Sequence, residues 1–123
     1  MGKAELQQDL QALYRRAEDG ITLGALTDEI CALLAQHTDA LRGVNGRYRL
    51  MTSDTGYARA FALENGAYRE LDCAAPVDVT ILGYEADLLR VFRRELSPMG
   101  ALLRGKIRLQ GSKAALMRLA EFL

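Results

Sequence analysis

The sequence predicts a single α+β domain, in which five strands form one mainly antiparallel sheet and helices cover one face of it. Three observations lead to this prediction. Two stretches with apolar residues at helical spacing come first, and three alternating stretches joined by tight turns follow them. Two strand-to-helix units, beginning at Val77 and at Lys106, then complete the chain. Alternation of apolar and polar residues is typical of strands with one buried face.

Length and composition are those of one soluble domain. Half of the 123 residues are hydrophobic, and 16 basic side chains balance 16 acidic ones. A domain of this length buries roughly two thirds of the surface of its unfolded chain, so it needs no disulfide or metal to fold. Zero net charge provides no overall attraction to nucleic acid. No run approaches the roughly 18 apolar residues of a membrane span, and no signal peptide is recognised, so a cytoplasmic location is expected.

The first part of the chain predicts two helices. The first runs from Lys3 to Asp19, and Gly20 ends it. Its apolar stripe consists of Leu6, Leu10, Leu13 and Tyr14. The second helix is expected to have Thr27 as its N-cap, because two acidic residues follow in the first turn. It is expected to end near His37.

Three strands are expected after the turn at Asn45-Gly46. They cover residues 47–53, 57–64 and 68–71, and the tight turns between them make neighbouring strands antiparallel. The second strand has one face of small side chains and one of bulky ones. The small face is Ala58, Ala60 and Ala62, and the bulky face is Tyr57, Phe61 and Leu63.

The last part predicts strand, helix, short helix, strand and helix. The strand that begins at Val77 passes through Gly83 into a helix from Tyr84 to Leu96. That helix is apolar over more than the ~100° stripe that a surface helix buries, so a further layer must contact its flanks. A short helical segment follows, then a strand over residues 106–112 and a closing helix over residues 113–123.

The order and spacing of these motifs resemble the sterol carrier protein 2 family. The matching motifs are Asn45-Gly46, Leu63-Glu-Asn-Gly66, Val77-Asp-Val-Thr-Ile, Asp87-Leu-Leu, Leu96-Ser-Pro, Gly105-Lys-Ile-Arg-Leu-Gln-Gly and Ala115-Leu-Met-Arg-Leu. The resemblance divides the single domain into N-terminal helices, residues 1–40, and a sterol carrier protein 2-like region, residues 41–123. Two positions depart from the family pattern. Ser112 replaces an aspartate before the last helix. Arg94-Glu95 stand where a glycine commonly ends the helix that begins at Tyr84.

The resemblance implies an apolar tunnel between the sheet and the helices. Members of the family bind and move sterols, fatty acids, fatty acyl-CoA and other lipids without changing them, and some bacterial relatives are accessory factors in isoprenoid quinone synthesis. Flexible methionine side chains would suit ligands of different shape. The residues predicted to line the tunnel are Phe61, Leu63, Val79, Ile81, Leu88, Phe92, Met99, Leu103 and Met117. For each of them, plain core packing is the alternative interpretation.

The sequence offers little for catalysis, so no enzyme activity, cofactor or metal is predicted. His37 is the only histidine and precedes the region of resemblance. Cys31 and Cys73 lie in no nucleophile or zinc motif, and are expected to be reduced thiols, with Cys73 buried. Two further functions stay open. The leucine stripe of the first helix could bind a protein partner or a second copy, and the domain could present a lipid to a separate enzyme.

Overall fold

A computed structural model of the chain describes residues 2–16 and 20–121. It confirms the predicted α+β class with one five-stranded sheet. The helices are α1 (Gly2–Arg16), α2 (Leu23–Gln36), α3 (Glu85–Phe92), α4 (Pro98–Leu103) and α5 (Lys113–Ala120). The strands are β1 (Gly46–Thr52), β2 (Ala58–Glu64), β3 (Ala67–Leu71), β4 (Val79–Gly83) and β5 (Ile107–Gly111).

The sheet is mainly antiparallel, with strand order β3-β2-β1-β4-β5. The first three strands form the expected meander, and β4 then pairs with the free edge of β1 in parallel. Strand β5 returns antiparallel to β4. This register places Gly46 and Gly111 at one end of the sheet, and Thr52, Gly83 and Ile107 at the other.

The helices pack on the face of the sheet that carries the bulky side chains. Tyr48, Leu63 and Val79 share one buried cluster with leucines of α1 and α2. Leu50 shares a second cluster with Leu88 of α3. Because side chains alternate along a strand, the residues between these positions point to the opposite face. Exposed residues on that opposite face include Arg47, Arg69 and Arg108.

Helix α1 is part of the core. Leu6 and Leu10 are fully buried and Leu13 is 2% exposed, all within the cluster that also contains Tyr48. The stripe that was one candidate surface for a partner or a second copy is therefore covered by the chain itself. The predicted end of this helix, at residues 17–19, lies outside the described residues.

Helix α2 begins five residues earlier than predicted, because Thr22 and not Thr27 is its N-cap. The Thr22 hydroxyl accepts a hydrogen bond from the Ala25 amide at 3.1 Å. Thr27 is buried inside the helix and donates to the Leu23 carbonyl at 2.9 Å. The earlier start lets Leu23 and Leu26, both fully buried, extend the apolar stripe of the helix.

Helix α3 ends at Phe92 rather than at Leu96. The Arg94 amide donates to the Val91 carbonyl at 3.2 Å, and the Glu95 amide donates to the Arg90 carbonyl at 2.9 Å. These two bonds form a Schellman motif. Arg94 adopts φ +66°, the left-handed conformation that glycine usually supplies at this position. Arginine therefore takes the place of the usual glycine, and the turn keeps its geometry.

Serine caps the last helix as expected. The Ser112 hydroxyl accepts from the Ala115 amide at 3.1 Å, so replacing the family's aspartate by serine preserves the cap.

Candidate functional site

An apolar cavity of about 130 Å³ lies between the sheet and the helices. Its lining is Tyr14, Thr27, Ile30, Cys31, Leu34, Tyr48, Arg49, Leu50, Arg59, Phe61, Ile81, Leu88, Val91, Phe92, Arg94, Pro98, Ile107, Leu116, Met117, Leu119 and Ala120. A dry cavity of similar size holds a molecule such as benzene. The cavity therefore accommodates one ring or a short piece of an acyl chain, and a longer ligand requires side chains of the lining to move.

The spacing of apolar residues explains how several elements form one wall. The sheet contributes alternate positions, such as Tyr48 with Leu50, that lie on the helix-facing side. Helix α3 contributes Leu88, Val91 and Phe92, three and four residues apart, so they share one side of the helix. Helix α5 closes the space with Leu116, Met117, Leu119 and Ala120.

Five of the nine residues predicted to line the tunnel do line this cavity. They are Phe61, Ile81, Leu88, Phe92 and Met117. Leu63 and Val79 lie on the same face of the sheet, but both are fully buried in the cluster filled by α1 and α2. Strand alternation turns all of these side chains toward the helices. The leucines of α1 share the buried cluster of Leu63 and Val79, so these two residues pack in the core and do not line the cavity.

The other two predicted residues, Met99 and Leu103, lie on the outer side of α4. They are 40% and 80% exposed. Ala101, between them, is fully buried. Residues two positions from an inward residue are rotated by about 200° around a helix, so they point outward. Contact of any of the nine residues with a lipid stays a prediction.

The sequence-based prediction missed the contribution of α2. Thr27, Ile30, Cys31 and Leu34 line the cavity at positions i, i+3, i+4 and i+7 of one helix. This spacing was visible in the sequence, but the resemblance that suggested the tunnel was drawn from residue 41 onward.

Arg59 forms a charged edge of the cavity. It lies on β2, its side chain is 20% exposed, and it forms ion pairs with Asp28 of α2 and Glu70 of β3. The Nε–Oε1 distance to Glu70 is 2.9 Å, although this geometry is an ion pair and not a hydrogen bond. Burial lowers the pKa of Arg59, but nearby Cys31, hydroxyls and Asp28 raise it overall. The guanidinium is therefore charged and already faces two carboxylates.

Hydroxyl groups near Arg59 also have partners within the protein. The Thr27 hydroxyl donates to a backbone carbonyl of α2, so the Tyr57 hydroxyl is the donor in their 2.5 Å contact. The Tyr68 hydroxyl donates to Glu70 at 2.8 Å. Burial raises the pKa of the Cys31 thiol, which keeps it neutral. The hydroxyl groups of Thr27, Tyr57 and Tyr68 therefore each donate a hydrogen bond within the protein.

A second edge is formed by Tyr14 and Arg94. The Arg94 guanidinium lies over the Tyr14 ring, 6.0 Å from its centroid. Burial raises the pKa of Tyr14 to about 12, although the positive charge of Arg94 opposes this increase. Helix α1 and the strained turn after α3 therefore meet at the cavity.

The Tyr14 hydroxyl is expected to make the stability of the fold depend on alkaline pH. Its pKa in the folded state, about 12, exceeds the ordinary value of 10.0. The stabilisation of the folded state by the neutral Tyr14 hydroxyl is therefore fully present below pH 10, and it is lost as the pH rises toward 12. We expect the wild type to lose about 2 kcal/mol of unfolding free energy relative to Tyr14→Phe across this interval. Urea unfolding of both proteins measures this difference, and a difference independent of pH would contradict the assignment.

Other chemistry-bearing residues lie away from the cavity lining. His37 is 2.7 Å from Asp9 (Nε2–Oδ2) and so links α2 to α1. Both cysteines are free, but Cys73 is exposed, so the expectation that it is buried was wrong. Cys73 lies in the loop between β3 and β4, where its thiol is 3.3 Å from the Ala58 carbonyl oxygen.

The described residues contain neither a metal site nor a membrane span of the usual kinds. Across residues 2–16 and 20–121, no three His, Cys, Asp or Glu side chains come together as a metal-binding group. Within the same ranges, each helix is too short or too polar to cross a bilayer.

Comparison with solved structures shows where this fold occurs. The sec-alkylsulfatase Pisa1 from Pseudomonas sp. is 23% identical with a TM-score of 0.67, over 89% of this chain and 19% of that chain. Palmitated SCP2L2 from Aedes aegypti is 24% identical with a TM-score of 0.60, over 82% and 93%. The ubiquinone synthesis protein UbiJ-SCP2 is 14% identical with a TM-score of 0.53, over 98% and 90%. The chain thus spans about a fifth of the sulfatase.

Sequence comparison identifies the family. No protein with a curated description matches the chain. The model of the SCP-2 sterol transfer family matches residues 27–123, which include most of α2, the whole sheet and every later helix. The chain therefore belongs to the SCP-2 sterol transfer family.

Proposed function

We propose that the protein binds a lipid in the cavity and transfers or presents it without chemical change. The observation that supports this most directly is the apolar cavity between the sheet and the helices, to whose lining all five helices contribute. Membership in a sterol transfer family supports it as well, and one structure with this fold is of a palmitated protein. The proposed ligand classes are sterols, fatty acids, fatty acyl-CoA and isoprenoids, each of which requires lining side chains to move or leaves part of the ligand outside the cavity of about 130 Å³.

The expected affinity suits a carrier. If a ligand buried about 300 Å² of apolar surface, transfer from water would contribute roughly 7 kcal/mol. The loss of translational and rotational freedom on association offsets part of this gain. The result is micromolar binding at best, which allows exchange.

The charged edge at Arg59 limits which polar head group can enter there. A ligand carboxylate beside Arg59 would also face Asp28 and Glu70. One arginine and two carboxylates give this edge a net charge of −1. An anionic head buried at this edge would therefore be unfavourable. We infer that the cavity takes the apolar part of the ligand or a neutral hydroxyl at this edge, and that a charged head such as CoA remains in solvent.

An accessory role is the second candidate function. The fold is shared with a ubiquinone synthesis protein and with part of a much larger sulfatase. In this role the same cavity would hold a lipid for a separate catalyst. The leucine stripe of α1 is not a suitable partner surface, since Leu6, Leu10 and Leu13 are buried in the core.

Native mass spectrometry of the purified protein tests the proposed function. We expect a complex with one bound lipid, whose mass and extract identify the class of ligand. Titration with a fluorescent sterol and a fluorescent fatty acid should then give saturable binding of one ligand per chain. A protein that purifies without lipid and takes up neither probe would refute the carrier proposal and favour a function in protein interaction.

A further inference from the structure

Helix α4 has one side on the cavity and an apolar side in solvent. Pro98, at its start, lines the cavity, and Ala101 is fully buried. On the outer side, Met99 and Leu103 are four residues apart and therefore adjacent. Leu103 is 80% exposed. Among the described residues it is the most exposed large apolar side chain, ahead of Tyr84 at 59%. Burial of a leucine side chain stabilises a protein, so this exposure forgoes that stabilisation unless another surface covers the side chain.

The chain around this outer face is basic. From Ser97 to Gln110 the sequence contains no aspartate or glutamate. Arg104 and Lys106 follow Leu103 and are exposed, and neither forms an ion pair with a residue in 2–16 or 20–121. The nearest acidic residue in sequence is Glu95, before the turn that leads into α4.

We propose that the outer face of α4, formed by Met99, Leu103, Arg104 and Lys106, docks on the surface of an anionic lipid bilayer. Leu103 and Met99 enter the interface between head groups and acyl chains, while the two cations contact lipid phosphates or carboxylates. This inference rests on the proposed function, because a lipid carrier must exchange its ligand with a membrane. Docking there brings one wall of the cavity directly to the source of the lipid.

A bilayer explains this face better than a protein partner does. A stable protein interface buries about 800 Å² on each side and needs a well-packed centre. Two apolar side chains on a six-residue helix offer far less. A bilayer needs no matching shape, and each basic residue near an anionic membrane surface strengthens the attraction to it. Apolar insertion and charge attraction together therefore suit reversible binding to a membrane.

Co-sedimentation with vesicles tests this docking without any added ligand. We expect wild-type protein to bind vesicles of phosphatidylcholine mixed with phosphatidylserine, and to bind pure phosphatidylcholine much more weakly. Added salt should weaken binding because it screens the attraction. Leu103→Ser should lower the partition coefficient about tenfold, and Arg104→Glu with Lys106→Glu at least as much. Leu103→Met should retain binding. Because these side chains are exposed, the variants should unfold at the same denaturant concentration as the wild type.

A charge-matched variant provides the control. Arg42→Glu with Lys113→Glu makes the same change in net charge at the opposite end of the sheet, where Arg42 adjoins the Gly66 turn and Lys113 follows Gly111. It should retain most of the binding. Equal losses in both double variants, or no wild-type binding to the anionic vesicles, would overturn the proposal. So would a dimer in analytical ultracentrifugation that Leu103→Ser dissociates, since a second copy would then cover this face.

Uptake of a probe delivered from aqueous solution separates the two proposals. Loss of vesicle binding in the α4 variants with normal uptake supports docking and leaves the cavity function intact. Failure of wild-type uptake refutes the carrier function, whatever the vesicle result. Normal wild-type uptake without vesicle binding refutes only the docking inference.

Discussion

Replacing Ile81 by tryptophan is expected to lower the affinity for a lipid probe at least about tenfold. Ile81 lies on β4 and its side chain lines the cavity. An indole at this position would take up much of a cavity of about 130 Å³ and compete with the ligand for the same space. A tenfold loss corresponds to about 1.4 kcal/mol, roughly the transfer free energy of two methylene groups. Titration of a fluorescent fatty acid or sterol measures it.

The next residue of the same strand offers a matched control. Leu82 is also partly buried, but it pairs with Arg108 and points to the opposite face of the sheet. Leu82→Trp should therefore change ligand affinity by less than about twofold, if the fold is retained. Circular dichroism and urea unfolding check the fold of both variants. An equal loss of affinity in both would indicate that the ligand binds elsewhere or that the sheet itself is disturbed.

The sequence predicted the sheet well because its signals are local. Alternation in β1 and β4 specifies strands, and the turns at Asp54-Thr-Gly56 and Asn65-Gly66 specify the antiparallel neighbours of the meander. The parallel pairing of β1 with β4 has no such local signal, since it depends on which edge of the meander receives the returning chain.

Helix ends were harder to predict where two residues could serve the same role. Thr22 and Thr27 are both good N-caps, and the choice depends on burial of Leu23 and Leu26. The end of α3 lacks glycine, so the usual stop signal was missing, and Arg94 takes the left-handed conformation instead. Local preference cannot reveal this, because the tertiary structure holds the turn.

The cavity lining could be predicted only in part, since it depends on how elements pack. Segment Pro98–Leu103 is apolar almost throughout, so its pattern does not say which side faces inward. The structure turns Ala101 inward and leaves Leu103 in solvent. Arg59 could not be predicted as a cavity residue either, because its ion pairs come from α2 and β3.

Gly111→Ala is expected to destabilise the protein by about 3 kcal/mol or more. Gly111 has φ +105°, and a Cβ atom there would lie 2.2 Å from the Asp78 carbonyl oxygen and 3.1 Å from the Val79 Cα. That same carbonyl accepts a 2.8 Å hydrogen bond from the Ser112 amide, which begins the cap of α5. The variant must therefore separate β5 from β4, lose this bond and adopt an unfavourable backbone conformation. Guanidinium unfolding measures the loss.

Gly56→Ala distinguishes the steric effect from the backbone effect. Gly56 also has a positive φ, +74°, but no atom lies within 4 Å of its added Cβ. This variant should lose only about 1 kcal/mol, the cost of alanine in the left-handed region. Because α5 carries Leu116 and Met117 into the cavity, Gly111→Ala should also weaken lipid uptake, whereas Gly56→Ala should not. Similar losses of stability in the two variants would contradict this explanation. They would mean that β5 moves away from β4 at little cost in free energy, and that the Gly111–Asp78 contact does not position α5 over the cavity.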